Sequence, residues 1–581
     1  MVLYGTKEVT PMGKIEAMAT FTNVYITILR WMLPVLVAIL LVRCIRPLLF
    51  FRREPEIWAW LCLPGDRKIP VTHWESVIGR HPKSDIVLNV STISRTHAVL
   101  TRYDDGSWTI SDADSASGIQ VNGIKKKIAA ITQEDTFTLG GVTMHIKPIS
   151  RRQEKRLAQL RTKVSTFFGS FFNVILLTAI QFFCALGFLL TAEAGEFTSI
   201  LMGFGGIIIA EWILLFFYIT IRRTAFEVET LAFFLCTMGM SAIAAVCPGE
   251  AIKQVFAMGL GIGLFLTVGW SLRDLNRAKI IRYIAAVAGI GMLVATFMFG
   301  TEIKGARNWI FIGSFSFQPS ELSKVCFVLV GASALERIVT KRNLFLFIAY
   351  SAMLVGCLAL MNDFGTALIF FGAFLVIAFM RSGSVGTVAL AIAALVFAGV
   401  LALKVAPHAL DRFDNWRHIW EDPDGNGWQQ TSGLVAMASG GLLGLGPGQG
   451  WLGNTRVFSR DADIVIATLG EEWGLIMVIF MILAVITLAV FSIRCASVGR
   501  SSFFTIGSCA AASILLLQAI LNALGTVDVL PFTGVTFPFL SNGGSSMICT
   551  WGLLAFIKAA DTRQNASFAV RISKQGGDED E

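Results

Sequence analysis

Charge is scarce in this 581-residue sequence: Asp, Glu, Lys and Arg make up 15% of it, against 54% hydrophobic residues. A soluble protein of this size carries far more charge, so most of the chain belongs in lipid. Paired cysteines of the kind that hold zinc or carry out redox chemistry are also missing. The ten cysteines are scattered, mostly inside apolar runs, with no CxxC and no metal-ligand spacing. They are packing residues, and none is assigned to disulfide, zinc or redox chemistry. A small-residue cleavage site is absent after the first apolar run, and the basic stretch RCIRPLLFFRR follows it closely. A retained anchor fits that pattern better than a removed signal peptide. The net charge of +8 does not imply nucleic-acid binding, because the Lys and Arg stand at the ends of apolar runs, as the positive-inside bias requires.

What is present in abundance is hydrophobic sequence in windows of about 20 residues, enough to cross ~30 Å of hydrocarbon. An anchor is expected near 24–47, and further spans near 166–191, 196–220, 226–247, 250–270, 279–299, 320–338, 343–361, 364–380, 384–404, 464–492, 502–524 and 543–561. Between anchor and array, DIVLNV, HAVLTRY, SWTISD and FTLGG alternate in polarity and are broken by Gly, Asp, Asn and Ser. That pattern predicts a small all-β domain. The expected organisation is a tail and anchor over 1–54, a β domain over 55–150, a basic linker over 151–165, a mainly α polytopic membrane bundle over 166–562, and a disordered tail over 563–581. With the β domain inside, Arg222, Arg223, Lys341, Arg342, Arg381 and Arg494 also fall inside. The N-terminus is then outside, the C-terminus cytoplasmic, and the stretch of about 405–463 extracytoplasmic.

Within the β domain, residues 78–123 carry IGR, DIVL, SRTHAVL and SASGIQVNG, in an order that resembles a forkhead-associated (FHA) domain. The resemblance implies a β-sandwich whose loops at one end grip phosphothreonine, and hence a threonine-phosphorylated protein as partner. A dianionic phosphate calls for an Arg and convergent neutral donors, and the positions implied here are Arg80, Ser94, Arg95 and Ser117. Ser117 stands where the family has an asparagine that holds the peptide backbone; a hydroxyl is shorter and makes fewer bonds. His97 matches a family histidine that buttresses the loop.

The membrane part carries GARNWIFIGSFSFQPSELSK at 305–324, NDFGTAL at 362–368 and EDPDGNGWQQT at 421–431, then SGGLLGLGPGQG, ADIVIATLGEEWG and LPFTGVTFPFLSNGGSS. Six ordered segments across about 240 residues resemble the RodA/FtsW (SEDS) family. The resemblance implies a glycosyltransferase that polymerises peptidoglycan from lipid II in a bacterial plasma membrane, with a class B penicillin-binding protein as partner. It also implies three spans ahead of GARNW, where five are counted here after the β domain.

Joining two lipid-linked sugars requires a base near the acceptor hydroxyl and help for a departing pyrophosphate. The resemblance marks Asp422 as that base; Glu421 and Asp424 beside it fit a solvated acidic loop or a cation site equally well. Arg307 and Trp309 are assigned either to a substrate cavity or to the headgroup region and aromatic belt. Gln318, Glu321, Lys324, Asp363, Asp463 and Ser545 are assigned to substrate binding. Glu321 and Lys324, three apart on one helix face, are read as an intramembrane ion pair. Asp363 is either a cap for the following helix or a functional carboxylate. Asp463, Glu471 and Glu472 complement the positive end of the helix that follows the long loop. SNGGSS offers either backbone donors to an anion or a close packing surface. A divalent cation, Mg or Mn, is expected to offset pyrophosphate charge. Two rival readings are a lipid II flippase and a noncatalytic scaffold that recruits phosphoproteins.

Overall fold

The computed structural model describes residues 11–50, 56–149, 167–334, 341–396 and 412–567, save a few positions within them. The basic linker over 151–165 lies outside the described residues. The chain forms a helical membrane bundle and a small β-sandwich.

The sandwich has two sheets. One has the order β2-β1-β11-β10-β7-β8 and the other β4-β3-β5-β6-β9. The strands are β1 (Ala59–Cys62), β2 (Lys68–Val71), β3 (Glu75–Gly79), β4 (Ile86–Val87), β5 (Ala98–Arg102), β6 (Trp108–Asp112), β7 (Ile119–Val121), β8 (Ile124–Lys126), β9 (Ile128–Ile131), β10 (Thr136–Leu139) and β11 (Val142–Pro148). All pairings are antiparallel except β3 with β4. Strand alternation puts Ile78, Leu100, Trp108, Ile110, Phe137 and Ile146 between the sheets, where they form one core.

The bundle contains α1 (Pro11–Leu49), α2 (Phe167–Thr191), α3 (Phe197–Thr220), α4 (Glu227–Val246), α5 (Ala251–Leu272), α6 (Leu275–Phe299), α7 (Pro319–Ala334), α8 (Lys341–Leu360), α9 (Phe364–Ser382), α10 (Trp428–Gly440), α11 (Val465–Ala496), α12 (Ser502–Thr526) and α13 (Gly544–Ala559). Nine stretches among the described residues are long and apolar enough to cross a membrane, while Phe345–Leu360 and Gly544–Ala559 are shorter apolar helices. The span expected over 384–404 lies partly outside the described residues. α4 is buried along nearly its whole length, and Trp551 of α13 packs its ring against Phe233, Phe265 and Phe539. α1 lies against α2, α4 and α11.

Three local features depart from the sequence-based expectations. The GARNW segment, between the spans expected near 279–299 and 320–338, is a three-stranded antiparallel meander, β12 (Thr301–Ile303), β13 (Ala306–Ile312) and β14 (Phe315–Phe317), where no strand was expected. α11 is interrupted at Gly474, whose φ of 82° belongs to the left-handed region. A Cβ there would come within 2.4 Å of the Gly444 amide nitrogen and the Leu442 carbonyl oxygen, so only glycine lets the glycine-rich loop approach this closely. Arg563, Ala566 and Ser567, expected in a disordered tail, are packed in the bundle, and 568–581 lie outside the described residues. Arg563 is buried and pairs with Glu227 (3.2 Å) and Asp561 (2.8 Å), beside a buried Lys558–Glu229 pair (3.1 Å). Burial alone would raise the Asp561 carboxyl, but the Arg563 guanidinium holds it below the usual carboxylate range.

Among the described residues, the sandwich meets the bundle at the end that carries Trp74 and Glu75. Trp74 is 2% exposed and meets Phe504 of α12 edge-on at 5.7 Å and Trp58 at 5.8 Å. The Arg102 guanidinium lies 4.5 Å from the Trp58 ring. Beside them the Ser502 hydroxyl donates to Glu75 at 3.4 Å.

Candidate functional site

A cavity of about 390 Å³ opens at the end of the bundle opposite the sandwich. α9 establishes that polarity: it begins at the cavity with Asp363 and Thr366 and ends at Arg381, which feels the charge of Glu75 in the sandwich. Nineteen residues at 1.5 Å each separate the two ends by about 28 Å.

Segments distant in sequence meet in the cavity wall. The meander supplies Asn308 and Trp309, α7 and its approach supply Gln318 and Glu321, and the α8–α9 turn supplies Asp363. The loop before α11 supplies Asp461 and Asp463, and the start of α13 supplies Ser545 and Ser546. Four carboxylates therefore share one wall with a single described cation, Arg412.

Asp363 is the helix cap that the sequence offered as one of its two readings. Its Oδ1 accepts the Thr366 amide at 3.1 Å, capping α9, and its Oδ2 accepts from Asn308 Nδ2 at 3.1 Å, tying the meander to that cap. Glu321 and Lys324 form the expected ion pair, with Nζ 2.5 Å from Oε1 and the lysine side chain fully buried. Lys324 itself is not in the wall. Ser545 Oγ accepts the Gln318 amide at 2.9 Å, which joins α13 to the start of α7. Arg307 is exposed and absent from the wall; its amide donates to the Met361 carbonyl at 3.0 Å, so here it is the backbone that holds the motif in place.

Asp422 lies outside the cavity wall, exposed between the equally exposed Glu421 and Asp424. Its Oδ2 accepts the Asn426 amide at 2.9 Å and its carbonyl accepts the Gly427 amide at 3.0 Å. These two bonds close the turn that leads into α10. A Cβ on Gly425 would sit 2.1 Å from that same Oδ2, so the glycine of the motif serves to admit the carboxylate. The loop bearing Asp422 is seated on the α12–α13 connection. The Arg417 amide donates to Asp528, Trp416 Nε1 to the Val529 carbonyl, and Arg412 to the Thr533 carbonyl at 3.3 Å.

Glu471 and Glu472 do not complement a helix end. They lie inside α11, buried, and clasp the glycine-rich loop: Glu472 accepts from the amides of Gly448 (2.7 Å) and Gly450 (3.2 Å), and Glu471 from those of Trp451 (2.9 Å) and Leu452 (3.1 Å). A buried loop must satisfy its amides, and these carboxylates do so. Sequence reasoning also missed Asp461, Arg412 and Asn308. Asp461 stands two residues before Asp463 in a turn, and that spacing was its only local signal.

Among the described residues no three His, Cys, Asp or Glu converge as a ligand set. Glu321 Oε2 is buried without a hydrogen-bond partner, and Asp363 shares the wall with it. Mg²⁺ needs only one or two protein carboxylates, and Glu321 Oε2 is the wall atom whose chemistry meets that requirement.

At the far end of the sandwich, backbone bonds from Arg80 to Ser94 (3.0 Å) and from His81 to Arg95 (3.1 Å) bring two loops together. Ser94 Oγ accepts the Ala116 amide at 3.1 Å, which adds the loop that carries Ser117. His97 is fully buried, with Nδ1 accepting from the Ser94 amide (3.1 Å) and Nε2 facing the Gly118 carbonyl (3.1 Å). It fastens the two loops from behind, as expected. Arg80, Arg95 and Ser117 are exposed. β3 runs from Glu75 at the membrane-docked end to Gly79 beside Arg80, so this tip faces away from the bundle.

A family model described as "Cell cycle protein" (FtsW/RodA/SpoVE) matches residues 247–566, and an FHA domain model matches residues 76–140. A protein from Hydrogenovibrio crunogenus named "Probable peptidoglycan glycosyltransferase FtsW" is 31% identical over 333 residues, 54% of this chain and 82% of that protein. The "Peptidoglycan glycosyltransferase RodA" of Mycobacterium tuberculosis is 27% identical over 330 residues, 53% and 69% of the two chains. The crystal structure of the Thermus thermophilus rod shape determining protein RodA aligns over 57% of this chain and 95% of that one, with 23% identity and a TM-score of 0.42.

Proposed function

The chain belongs to the FtsW/RodA/SpoVE cell cycle protein family, and from that membership we propose that it is a peptidoglycan glycosyltransferase polymerising lipid II into glycan strands. Such strands serve cell-wall elongation, division or sporulation. The observation that carries this reading is the cavity, where the GARNW meander, the NDFGTAL cap, the loop before α11 and the start of α13 meet around four carboxylates.

In this reading the cavity holds the lipid-linked donor. Trp309 offers a flat apolar face to a sugar ring, and Gln318, Ser545 and Asp463 offer polar contacts. Asp422, on the exposed loop, meets the acceptor arriving from outside. It takes the proton of the acceptor N-acetylglucosamine 4-hydroxyl as that oxygen bonds to the anomeric carbon of the donor N-acetylmuramic acid, and undecaprenyl pyrophosphate departs with the electrons of the broken bond. A divalent cation, when bound, would offset the pyrophosphate charge, with the unpartnered Glu321 Oε2 as its protein ligand. Arg307, exposed at the rim, is placed to meet a headgroup. The membrane orientation that goes with this chemistry puts the cavity outside and the sandwich and C-terminus in the cytoplasm. A class B penicillin-binding protein is the partner that would crosslink the product.

The sandwich supplies control. Its tip takes a threonine-phosphorylated protein through Arg80, Ser94, Arg95 and Ser117, while its other end sits on α9 and α12. α9 carries Asp363 at its far end, and Asn522 near the far end of α12 donates to the Asp463 carbonyl at 2.9 Å. Binding at the tip is thereby connected to the cavity through two rigid helices. Arg80→Ala is expected to weaken binding of a phosphothreonine peptide at least tenfold by titration calorimetry, the loss of one charge-assisted contact, with the domain still folded. Equal binding of phosphorylated and unphosphorylated peptides to the native chain would remove this reading.

The direct test supplies lipid II and Mg²⁺ to the purified chain together with its penicillin-binding partner. Glycan polymer resolved by gel electrophoresis is the expected product. Lipid II that crosses proteoliposomes without polymerising would favour a transporter, and neither outcome from a folded complex would favour a scaffold.

A further inference from the structure

Of the four wall carboxylates, Asp461 has the most telling surroundings. Its Oδ2 accepts from Asn542 Nδ2 at 2.7 Å and from the Cys247 thiol at 3.3 Å, and its carbonyl accepts the Asn542 amide at 2.9 Å. Cys247 is 214 residues away in sequence and Asn542 is 81. The next residue back, Arg460, fixes the loop. Its guanidinium donates to the carbonyls of Gly453 (3.0 Å), Val246 and Val457 (3.4 Å each), and to that of Thr455. One arginine thus anchors the loop to the α4–α5 turn, and Asp461 inherits that rigidity.

This pattern uses half of a carboxylate. A carboxylate has two oxygens and about four acceptor sites, and the donors gathered here converge on one oxygen. Both are neutral, so the negative charge is oriented, and among the described residues no cation forms an ion pair with it. Asp363 differs, with each oxygen committed to the protein, and Glu321 is paired with Lys324. Burial, followed by the Asp461 carboxylate itself, pushes the Cys247 thiol up, which keeps it protonated as a donor.

We propose that Asp461, aimed by Asn542 and Cys247, is a substrate-contacting residue that accepts a hydrogen bond from a hydroxyl or amide N–H of the lipid-linked sugar in the cavity. The inference rests on the lipid II reading and adds the residue that selects the sugar. Phe458, Ser459, Ala462 and Asp463 line the cavity beside Asp461, so amide exchange of this loop reports occupancy of the same spot.

The experiment has two readouts on the full-length chain in proteoliposomes. In the first, Asp461→Ala raises the KM for lipid II by roughly ten- to a hundredfold, the worth of a hydrogen bond to a charged group, with kcat changed much less, and Asn542→Ala gives a smaller rise. In the second, lipid II slows hydrogen–deuterium exchange of the 457–463 loop, followed by peptide mass spectrometry, and Asp461→Ala abolishes that protection. If the wild type polymerises and Asp461→Ala leaves both KM and protection unaltered, the inference falls while the polymerase reading stands. A shift in Mg²⁺ requirement without a shift in KM overturns it in favour of a cation site. Asp461-dependent protection in a chain that fails to polymerise upholds the contact and removes the polymerase reading; absence of both removes the two together.

Discussion

Asp422→Ala and Asp422→Asn are both expected to lower the rate of glycan polymerisation by roughly 10²–10⁴-fold, the usual contribution of a general base. The pair of variants is needed because Asp422 also builds a turn. Its Oδ2 accepts the Asn426 amide at 2.9 Å, and asparagine keeps an oxygen in that place while losing the capacity to take a proton. Alanine loses both. If the asparagine variant polymerised at the wild-type rate and the alanine variant did not, Asp422 would be a turn former, and the base would have to be sought among Asp363, Asp461 and Asp463 in the wall. The exposure of Asp422 gives this outcome real content, since the residue acts only on an acceptor that reaches the loop from outside.

The second large effect is on stability. Lys324→Met leaves Glu321 as an unpaired charge in the bundle core and is expected to cost about 3–5 kcal/mol, read as a lower melting temperature in detergent. The lysine side chain is fully buried and Nζ lies 2.5 Å from Glu321 Oε1, so water cannot take its place. Combining Lys324→Met with Glu321→Gln removes the stranded charge and is expected to restore most of the stability. Polymerisation stays low in the double variant, because Glu321 also faces the cavity. A single variant that melts with the wild type would mean that the pair is solvated.

Much of the architecture was legible because its signals are local. Helix positions follow from apolar windows, and the sandwich follows from alternating strands that place Leu100, Ile110 and Phe137 in a core. His97 was legible in its role because its two partners, Ser94 and Gly118, lie within the same short motif region. Glu471 and Glu472 were misjudged for the opposite reason. Two acids near the start of a helix usually answer the helix dipole, and nothing nearby announces that they clasp amides about twenty residues upstream. The GARNW meander was hidden as well, since strand pairing across such short segments depends on the helices that frame it.

The sequence by itself determined that the chain lives in a membrane, that a small β domain interrupts its N-terminal helices, and which ordered motifs carry the family likeness. These depend on hydropathy, periodicity and residue spacing, all properties of neighbouring residues. Only the tertiary structure decided which carboxylates share a cavity, that Asp422 stands apart from it, and that Asp461 is held by an asparagine and a thiol from elsewhere in the chain. It also decided that the sandwich is seated by Trp74 on helices that lead to the cavity. The physical reason is that a buried polar group must find a partner wherever the fold supplies one, and the sequence distance to that partner has no bearing on the choice.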